Sequence, residues 1–251
     1  MKKILFALFV LAIHFCSAQE KPQGYLVSYV GIFNNLFGRG NDFRNYHGKL
    51  VIQGDRSFFS MKVDEKNLRS AKEYDIDLSP DSMFTVYKDE ESSTLLFEFT
   101  DLNQRSIYYA DTLHPMQWEI LPGEKTIGNM KCNKAITEFK GRKYIAWYTN
   151  SIPIANGPWK LGGLPGLIIE AYDEDDQWHV VCNAIKINDD YDFTSYDKVI
   201  SKGVLGYAAF SEHLKKIFDR IQQAISARQS GDCLTCTTQS EFKLHTWEKI
   251  Q

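Results

Sequence analysis

The chain has 251 residues, and its 29 Lys and Arg against 32 Asp and Glu give a formal net charge of −3 at pH 7. This balance disfavours binding to nucleic acids or anionic membranes, because both need basic patches. Aromatic residues make up 14% of the chain. That abundance favours β structure, because aromatic side chains suit pleated, half-buried surfaces.

The first 18 residues are predicted to be a secretory signal peptide. Lys2 and Lys3 form its positive region, and an apolar stretch follows over residues 4–15. This stretch is too short to span a bilayer comfortably, and no later segment reads as a transmembrane helix. Cleavage after Ala18 would leave Gln19 as the new N-terminus.

Cys16 raises the alternative of a lipid-modified N-terminus. Phe15, directly before it, is too bulky for the small-residue box that such a cysteine must follow, which favours a soluble cleaved product. Cleavage would remove Lys2 and Lys3, leaving 27 basic against 32 acidic residues, a charge of −5. The remaining residues, 19–251, are predicted to form one exported domain. Its predicted location is the periplasm or the extracellular space, with association with the outer membrane as a further alternative.

Period-two alternation and short apolar runs predict strands up to about residue 188. Turn signals such as Gly54–Asp55 and Pro122–Gly123 separate several of these runs. The predicted strands cover residues 24–30, 49–62, 95–99, 106–110, 118–121, 130–139, 143–149, 167–172 and 178–187.

The pattern changes to helical spacing over residues 211–227, where apolar residues recur at intervals of three and four. The apolar positions are Leu214, Ile217, Phe218, Ile221, Ala224 and Ile225, and the outward ones are Lys215, Lys216, Asp219 and Arg220. The order of elements predicts a mainly β fold, in which an antiparallel meander forms a curved sheet or half-barrel with this amphipathic helix packed on it. A closed barrel and a sandwich are the alternatives.

A segment rich in glycine and proline runs over residues 157–170, with the sequence GPWKLGGLPGLIIE. Its density of glycine indicates a tightly turning backbone, and the apolar run at its end indicates a buried strand. We therefore predict a rigid loop that leads into a core strand. The loop residues assigned a structural role are Gly157, Gly162, Gly163, Pro165 and Gly166.

Residues 163–168 read Gly-Leu-Pro-Gly-Leu-Ile, and further short motifs precede them: Gly-Arg-Lys-Tyr at 141–144, Ile-Pro-Ile at 152–154 and Gly-Pro-Trp-Lys at 157–160. In these motifs the chain resembles the GLPGLI family of bacterial envelope proteins. The resemblance covers residues 120–173 strongly. It implies an exported envelope protein of Gram-negative bacteria for which no reaction is agreed, and it transfers no catalytic residue.

Two interpretations of the glycine-rich loop stand side by side. In the first, the loop closes the sheet and Trp159 packs as a plug. In the second, it is a recognition loop, in which Pro158, Trp159 and Lys160 present an aromatic face and a cation to a ligand. Trp147 and Tyr148, on a predicted strand, are further candidates for lining such a site. A phosphate-binding role is disfavoured, because no Gly-Lys-Ser/Thr follows and the next segment reads as strand.

The acidic run at residues 173–176 could bind Ca²⁺ through its carboxylates, but it lacks the alternating spacing and glycine of an EF-hand loop. A polar hairpin tip is the favoured interpretation, and the same holds for residues 189–192. No metal site and no cofactor are predicted.

Four cysteines follow the predicted signal peptide, an even number that suggests disulfides in an exported protein. Sequence separation favours the pairs Cys132–Cys182 and Cys233–Cys236, although free thiols remain the alternative. A redox site at Cys233 and Cys236 would need a strand before it and a helix after it, and a zinc site there would need two more ligands.

No nucleophile motif of the Gly-x-Ser-x-Gly kind and no His-Glu-x-x-His occurs, and nothing selects Ser57, Ser60 or Ser106 as a partner for a distant histidine. We therefore predict a non-enzymatic binding or chaperone-like module. It would hold an apolar ligand, a lipid or a peptide on its aromatic-rich sheet. The alternatives are an adaptor that binds another envelope protein, and a thiol-active or hydrolytic enzyme.

Overall fold

The computed structural model of the protein describes residues 23–34, 43–63, 82–100, 106–187, 191–201 and 204–232. The predicted signal peptide and the Cys233–Cys236 pair lie outside these ranges.

One twelve-stranded sheet dominates the described part of the chain. It is open, and two helices follow its long strands. The strands are β1 (Tyr25–Asn34), β2 (Phe43–Gln53), β3 (Arg56–Val63), β4 (Ser82–Asp89), β5 (Thr94–Thr100), β6 (Ser106–Thr112), β7 (Glu119–Ile127), β8 (Met130–Phe139), β9 (Arg142–Thr149), β10 (Leu167–Asp173), β11 (Trp178–Ile187) and β12 (Leu205–Gly206); the helices are α1 (Thr194–Ser201) and α2 (Tyr207–Asp232).

Two antiparallel meanders make up the sheet. The strand order is β12-β6-β5-β4-β3-β2-β1-β11-β10-β9-β8-β7, so β1 joins the first meander, β1 to β6, to the second, β7 to β11. At this junction Tyr25 pairs with Ile52 of β2 on one side and with Ile187 of β11 on the other. The short β12 pairs parallel with β6, and every other pairing among the described strands is antiparallel. The predicted fold class, a mainly β antiparallel meander with a helix packed on it, is confirmed.

The sheet curls around the loop between β9 and β10. Lys88 on β4 and Tyr144 on β9 lie six strand positions apart, which would separate them by about 29 Å in a flat sheet. Both nevertheless contact this loop: Lys88 Nζ lies 2.8 Å from the carbonyl oxygen of Leu161, and the rings of Tyr144 and Trp159 are 5.5 Å apart. We call the side of the sheet that faces this loop the inner face.

Helix α2 also packs on the inner face. The ring of Phe210 stacks on Tyr109 of β6 with centroids 3.9 Å apart, and Leu214 and Ile217 are buried in the same core. The predicted outward residues Lys215, Lys216, Asp219 and Arg220 are exposed, as their spacing indicated. Of the helices in the described ranges, neither combines the length and apolarity that a membrane crossing requires.

A second, smaller core lies on the outer face of the first meander. In segment 191–200, the rings of Phe193 and Tyr196 pack against the ring of Tyr87 on β4. Helix α1 begins there because the Asp192 carboxylate accepts hydrogen bonds from the backbone N–H and hydroxyl of Thr194. These bonds lower the pKa of Asp192.

The structure does not contain the predicted Cys132–Cys182 disulfide, because both residues are free thiols. Cys132 is on β8 and Cys182 on β11, and two strands separate them in the sheet. Strands β9 and β10 lie between them, so their backbones are not neighbours in the sheet, whereas a disulfide tolerates a Cα separation of only about 7 Å. Burial raises the pKa of both thiols, that of Cys182 to about 11, so both favour the protonated form.

Candidate functional site

The signature loop, which we define as residues 156–166, lies in the core. Trp159 is 1% exposed, and its ring packs against Phe139, Tyr144 and Trp178, with centroids 5.5 to 6.2 Å away. Pro158 is buried beside it. This is the placement of a packing residue, as in the first of the two interpretations of the loop.

The loop backbone folds back on itself. The N–H of Gly163 donates to the carbonyl of Ala155 at 2.9 Å, and the N–H of Leu161 donates to that of Pro158 at 3.1 Å. Trp159 has a positive φ of 54°, an uncommon conformation for a bulky residue, and Gly163 has a φ of 83°. Packing around the indole must therefore hold Trp159 in place.

Gly157 and Gly166 permit a close approach of the loop to its neighbouring strands. A Cβ added at Gly166 would lie 2.1 Å from the carbonyl oxygen of Thr149, and one added at Gly157 would lie 2.7 Å from the side chain of Ile168. A side chain at Gly166 would therefore require the backbone to move, and one at Gly157 would require Ile168 to shift. Pro165 lies in the same turn as Gly166.

Lys88 fastens the loop to the first meander. Its side chain is 2% exposed, and its ammonium donates to Asn156 Oδ1 at 2.6 Å, to the carbonyl of Leu161 at 2.8 Å and to that of Gly157 at 3.2 Å. The sequence analysis did not identify Lys88. Residues 82–87 alternate before Lys88, but no strand was predicted there.

Lys160, a candidate ligand contact in the recognition-loop interpretation, is 3% exposed. It donates to the hydroxyl of Tyr109 at 2.9 Å, and its Nζ lies 5.1 to 6.0 Å from the centroids of four rings. Lys140 pairs with Asp111 at 2.5 Å nearby and also lies over the Tyr207 ring. Burial acts to raise the pKa of Asp111, but the hydrogen bond and charge of Lys140 outweigh it, so the pKa is lowered, and Lys160 adds to this lowering. The rings around Lys160 are Phe97, Tyr109, Trp159 and Tyr207.

Trp147 and Tyr148, predicted to line one site, lie on opposite faces of β9. Tyr148 is buried on the inner face, whereas Trp147 is half-buried on the outer face. The indole nitrogen of Trp147 is buried and has no hydrogen-bond partner among the described residues. Lys125 Nζ lies 4.4 Å from the centroid of the Trp147 ring system and Lys134 Nζ lies 5.9 Å from it, within the range of cation–π attraction.

The carboxylate of Glu170 lies beside Trp147 on the outer face and contacts two neighbouring side chains. Glu170 of β10 pairs with Trp147 in the strand register and is 7% exposed. One of its oxygens lies 2.8 Å from His179 Nε2, and the other forms an ion pair with Lys125. Because Lys125 and His179 each contact one oxygen of Glu170, the nearly buried carboxylate has polar partners within an otherwise apolar sheet face.

An apolar row runs next to this carboxylate across the second meander. Strand registers place its members side by side on the outer face, where all are half-buried or exposed and Ile32 is 39% exposed. In strand order the row consists of Ile32, His179, Tyr172, Ile145 and Ile136. We call this row, together with Trp147, Lys125, Lys134 and Glu170, the outer patch.

Beyond the outer patch, β7 is an edge strand of the sheet. Its register with β8 shifts between Leu121 and Glu124, so Pro122 and Gly123, predicted to end a strand, instead form a bulge within it. A bulge with a proline blunts an edge against pairing with a further strand. The outer patch is therefore a better candidate for recognition than the edge beside it.

The acidic run at 173–176 is divided between core and solvent. Asp173 is buried, and it accepts hydrogen bonds from the backbone N–H groups of Gln177 (2.7 Å) and Trp178 (2.9 Å) and from Arg142. Asp175 is mostly exposed. Asp173 thus shapes the hairpin turn. In the described ranges, no group of three or more His, Cys, Asp or Glu side chains is arranged as metal ligands would be.

Ser57, one of three serines considered for catalysis, is fully buried on β3, and its Oγ has no hydrogen-bond partner among the described residues. Its cross-strand neighbour is Lys88. The described contacts give Ser57 no histidine, so they do not assemble a hydrolytic triad around it.

Comparison with known proteins finds a short match to a family of undefined activity and solved structures of similar fold. Residues 137–170, which include the signature loop, match the family described as "Protein of unknown function (Porph_ging)". No curated protein sequence matches the chain.

Solved structures with this fold include PNGF-II in the C2 space group, which is 15% identical with a TM-score of 0.52 over 78% of this chain and 33% of that chain. PNGF-II in the P21 space group also matches, at 16% identity and a TM-score of 0.48 over 69% of this chain and 30% of that one. The chain thus spans about a third of the length of the solved protein that it matches.

Proposed function

We propose that the protein is an exported, non-enzymatic binding module of the GLPGLI family, and that it binds an apolar ligand, a lipid or an extended peptide on the outer patch. The observation that carries this proposal is the half-buried Trp147, which lies between two lysines and a nearly buried carboxylate on a sheet face. Aromatic anchors with a few fixed polar groups are typical of recognition surfaces.

The inner face is already filled by other parts of the protein, which supports a ligand site on the outer face. The signature loop and α2 pack there, and Trp159, Lys160 and Tyr148 are all buried. On the outer face, segment 191–200 covers the first meander, whereas the residues of the outer patch other than Glu170 are half-buried or exposed. The proposal therefore moves the ligand from the inner, aromatic-rich side to the outer side.

Site-specific photocrosslinking tests the position of the binding surface. The photoreactive amino acid p-benzoylphenylalanine would replace Ile145 in the outer patch and, as a matched control, the exposed Lys198 of α1. Cells that naturally make the protein would be irradiated, and the adducts identified by mass spectrometry. We expect one defined adduct at position 145 and none at position 198.

The same adduct should weaken roughly tenfold or more in a Trp147→Ala background, because removing an aromatic anchor typically costs more than about 1.4 kcal/mol of binding. The proposal would be contradicted by no adduct at position 145 or by the same adduct at position 198. An adduct yield at position 145 that is unchanged in the Trp147→Ala background would also contradict it.

Export is the second part of the proposal, and intact-mass measurement of the protein from an envelope fraction tests it. We expect a chain that begins at Gln19. A mass two hydrogens lower than that of the reduced chain would agree with the predicted Cys233–Cys236 disulfide. A chain that retains residues 1–18 and remains in the cytoplasmic fraction would contradict export.

Native mass spectrometry of the same sample separates the binding module from its alternative, an adaptor for an envelope complex. A small stoichiometric extra mass would identify a bound ligand or lipid. A large complex with another protein and no small ligand would favour the adaptor. In that complex, the outer patch would be the first surface to examine for the partner.

A further inference from the structure

The Asn156–Gly157 pair at the start of the signature loop is the single Asn-Gly dipeptide in the sequence. In such a pair the backbone nitrogen of glycine can attack the side-chain amide of asparagine, because glycine has no Cβ to hinder the approach. Ring closure expels ammonia and leaves a cyclic imide, and water then opens the imide to an acid. This chemistry makes Asn156 a candidate for modification by the chain itself.

Two hydrogen-bond donors converge on the amide oxygen, Oδ1, of Asn156. The backbone N–H of Gly157 donates to it at 2.8 Å, and the ammonium of Lys88 donates to it at 2.6 Å. The Cγ atom is one C=O bond from this oxygen, so the Gly157 nitrogen already lies beside the atom that it would attack. Asn156 is 7% exposed, which leaves a path for water and ammonia.

Lys88 supplies a positive charge at this oxygen. Its ammonium donates to three acceptors, Asn156 Oδ1 and the carbonyls of Gly157 and Leu161, which match the three N–H groups of the protonated form. Addition of a nucleophile to Cγ puts negative charge on Oδ1. A cation held in place at that oxygen, away from bulk water, stabilises this charge and so favours the addition.

The product acid would also suit Lys88 better than the amide does. Among the described residues, Lys88 forms no ion pair with a carboxylate, and a buried charge without such a partner is costly. Burial lowers the pKa of Lys88 to about 7, whereas Glu90 acts to raise it. A carboxylate at position 156 would form an ion pair with the ammonium and raise this pKa toward its usual range.

We propose that Asn156 is a self-modification site, at which the folded loop converts the side-chain amide to a carboxylate that pairs with Lys88. In the first step the Gly157 nitrogen bonds to Cγ and gives up its proton, the bond from Cγ to Nδ2 breaks, and Nδ2 leaves as ammonia. In the second step water adds to Cγ and the bond from Cγ to the Gly157 nitrogen breaks, which restores the backbone N–H. One water is consumed and one ammonia is released, with no change of oxidation state.

The position of Lys88 also determines which acid forms. Water can open the imide at Cγ, which gives aspartate, or at the backbone carbonyl of residue 156, which gives isoaspartate. Lys88 activates the Cγ oxygen, whereas the backbone carbonyl accepts a bond from the neutral N–H of Ile168 at 3.0 Å. Because a bond to a charged donor polarises a carbonyl more strongly, aspartate should be the main product.

Peptide mapping by mass spectrometry tests the proposal on the folded protein. Freshly purified protein would be incubated at neutral pH in water enriched in oxygen-18, and residue 156 would be analysed over time. We expect conversion of Asn156 to aspartate that carries one oxygen-18 atom, with aspartate in excess over isoaspartate. The same protein kept unfolded in urea should lose this preference, because Lys88 no longer contacts residue 156. Aspartate already present at position 156 in freshly purified protein would also support the proposal.

Variants separate the role of Lys88 from the general lability of an Asn-Gly pair. Lys88→Met should convert at least about tenfold more slowly in the folded state, because the charge at Oδ1 is lost. Lys49→Met, which removes an exposed lysine on β2, should convert at the wild-type rate. An amide that persists in folded wild type, an equal rate in Lys88→Met, or isoaspartate as the main product would each overturn the proposal. A covalent bond between residues 88 and 156 would also overturn it, since the lysine would then be the nucleophile.

A second comparison holds even if Lys88→Met does not fold. Asn156→Asp installs the product directly, so it should unfold at a higher urea concentration than freshly purified protein whose amide is intact. Asn150→Asp, an exposed change in the turn after β9, is the matched control and should leave the unfolding midpoint unchanged. An Asn156→Asp protein whose midpoint is no higher would overturn the proposal, because the ion pair with Lys88 would then not favour the folded loop.

Discussion

At the scale of single residues, a substitution at Gly166 tests how closely the loop approaches its neighbouring strand. A Cβ at this position would lie 2.1 Å from the carbonyl oxygen of Thr149, which belongs to backbone and cannot easily move. We expect Gly166→Ala to lower the free energy of unfolding by about 2–4 kcal/mol, measured by urea titration.

Gly206→Ala is the control, since among the described residues nothing lies within 4 Å of its added Cβ. Its unfolding midpoint should stay close to wild type. Equal midpoints for the two variants would mean that the close approach of Gly166 to β9 is not a feature of the folded protein.

Asp173 allows a second residue-scale test, because its carboxylate supports both a turn and a nearly buried arginine. Asp173→Ala would leave Arg142 without its principal partner and free two backbone N–H groups, for an expected loss of about 3–5 kcal/mol in unfolding experiments. Asp175→Ala removes the more exposed acid 3.6 Å from the same arginine and should cost less than about 1 kcal/mol. A reversed order would contradict the division of the acidic run into core and solvent.

Residue-level patterns also show where sequence reasoning was sufficient. Period-two alternation placed Trp147 and Tyr148 on one strand, as observed. The same alternation requires that they face opposite sides, so it already spoke against both of them lining one site. The burial of Lys160 could not be predicted in this way, because it depends on Tyr109, which is distant in sequence and lies on another strand. The sequence therefore left both interpretations of the loop open, and only the tertiary structure places the Lys160 ammonium inside the protein.

At the scale of elements, Arg56 determines how α1 is docked. Its guanidinium bonds Asp197 of α1 and the hydroxyl of Tyr87, and it lies about 5 Å from the rings of Tyr87 and Phe193. Arg56→Met should loosen α1, so hydrogen exchange over residues 194–201 should accelerate several-fold while exchange in β1 and β11 stays unchanged. Lys62→Met, an exposed change on the same strand, is the control. Unchanged exchange in α1 would show that aromatic packing alone holds it.

Most long strands could be predicted from their alternation, whereas two elements show the limits of that approach. Strand β4 was missed because Lys88 occupies an inward position where an apolar residue is expected, and its hydrogen bonds come from a loop some seventy residues away. Strand β7 was ended too early, because Pro122–Gly123 forms a bulge at a sheet edge where no ladder bond is lost. The deciding feature was a contact with a distant loop for β4 and the position at the sheet edge for β7, and neither can be read from local alternation.

At the scale of the whole molecule, a short loop gives the curved sheet its core. Residues of the signature loop contact strands from both meanders, through Lys88 and Tyr109 on one side and Tyr144 and Trp178 on the other. The sequence indicated a rigid loop followed by a core strand. It could not indicate that the sheet closes around the loop, because this arrangement depends on the junction of β1 with β11, about 150 residues apart.

The central claim is that the signature loop belongs to the core and that recognition belongs to the outer patch. Urea unfolding of Trp159→Ala and Trp147→Ala, compared side by side, tests it most directly. Trp159 is enclosed by aromatic rings, so its loss should cost about 3–5 kcal/mol; Trp147 is half-buried, and its loss should cost at most about 1.5 kcal/mol. A Trp159→Ala protein as stable as Trp147→Ala would contradict the account, because the loop would then not be part of what holds the sheet together.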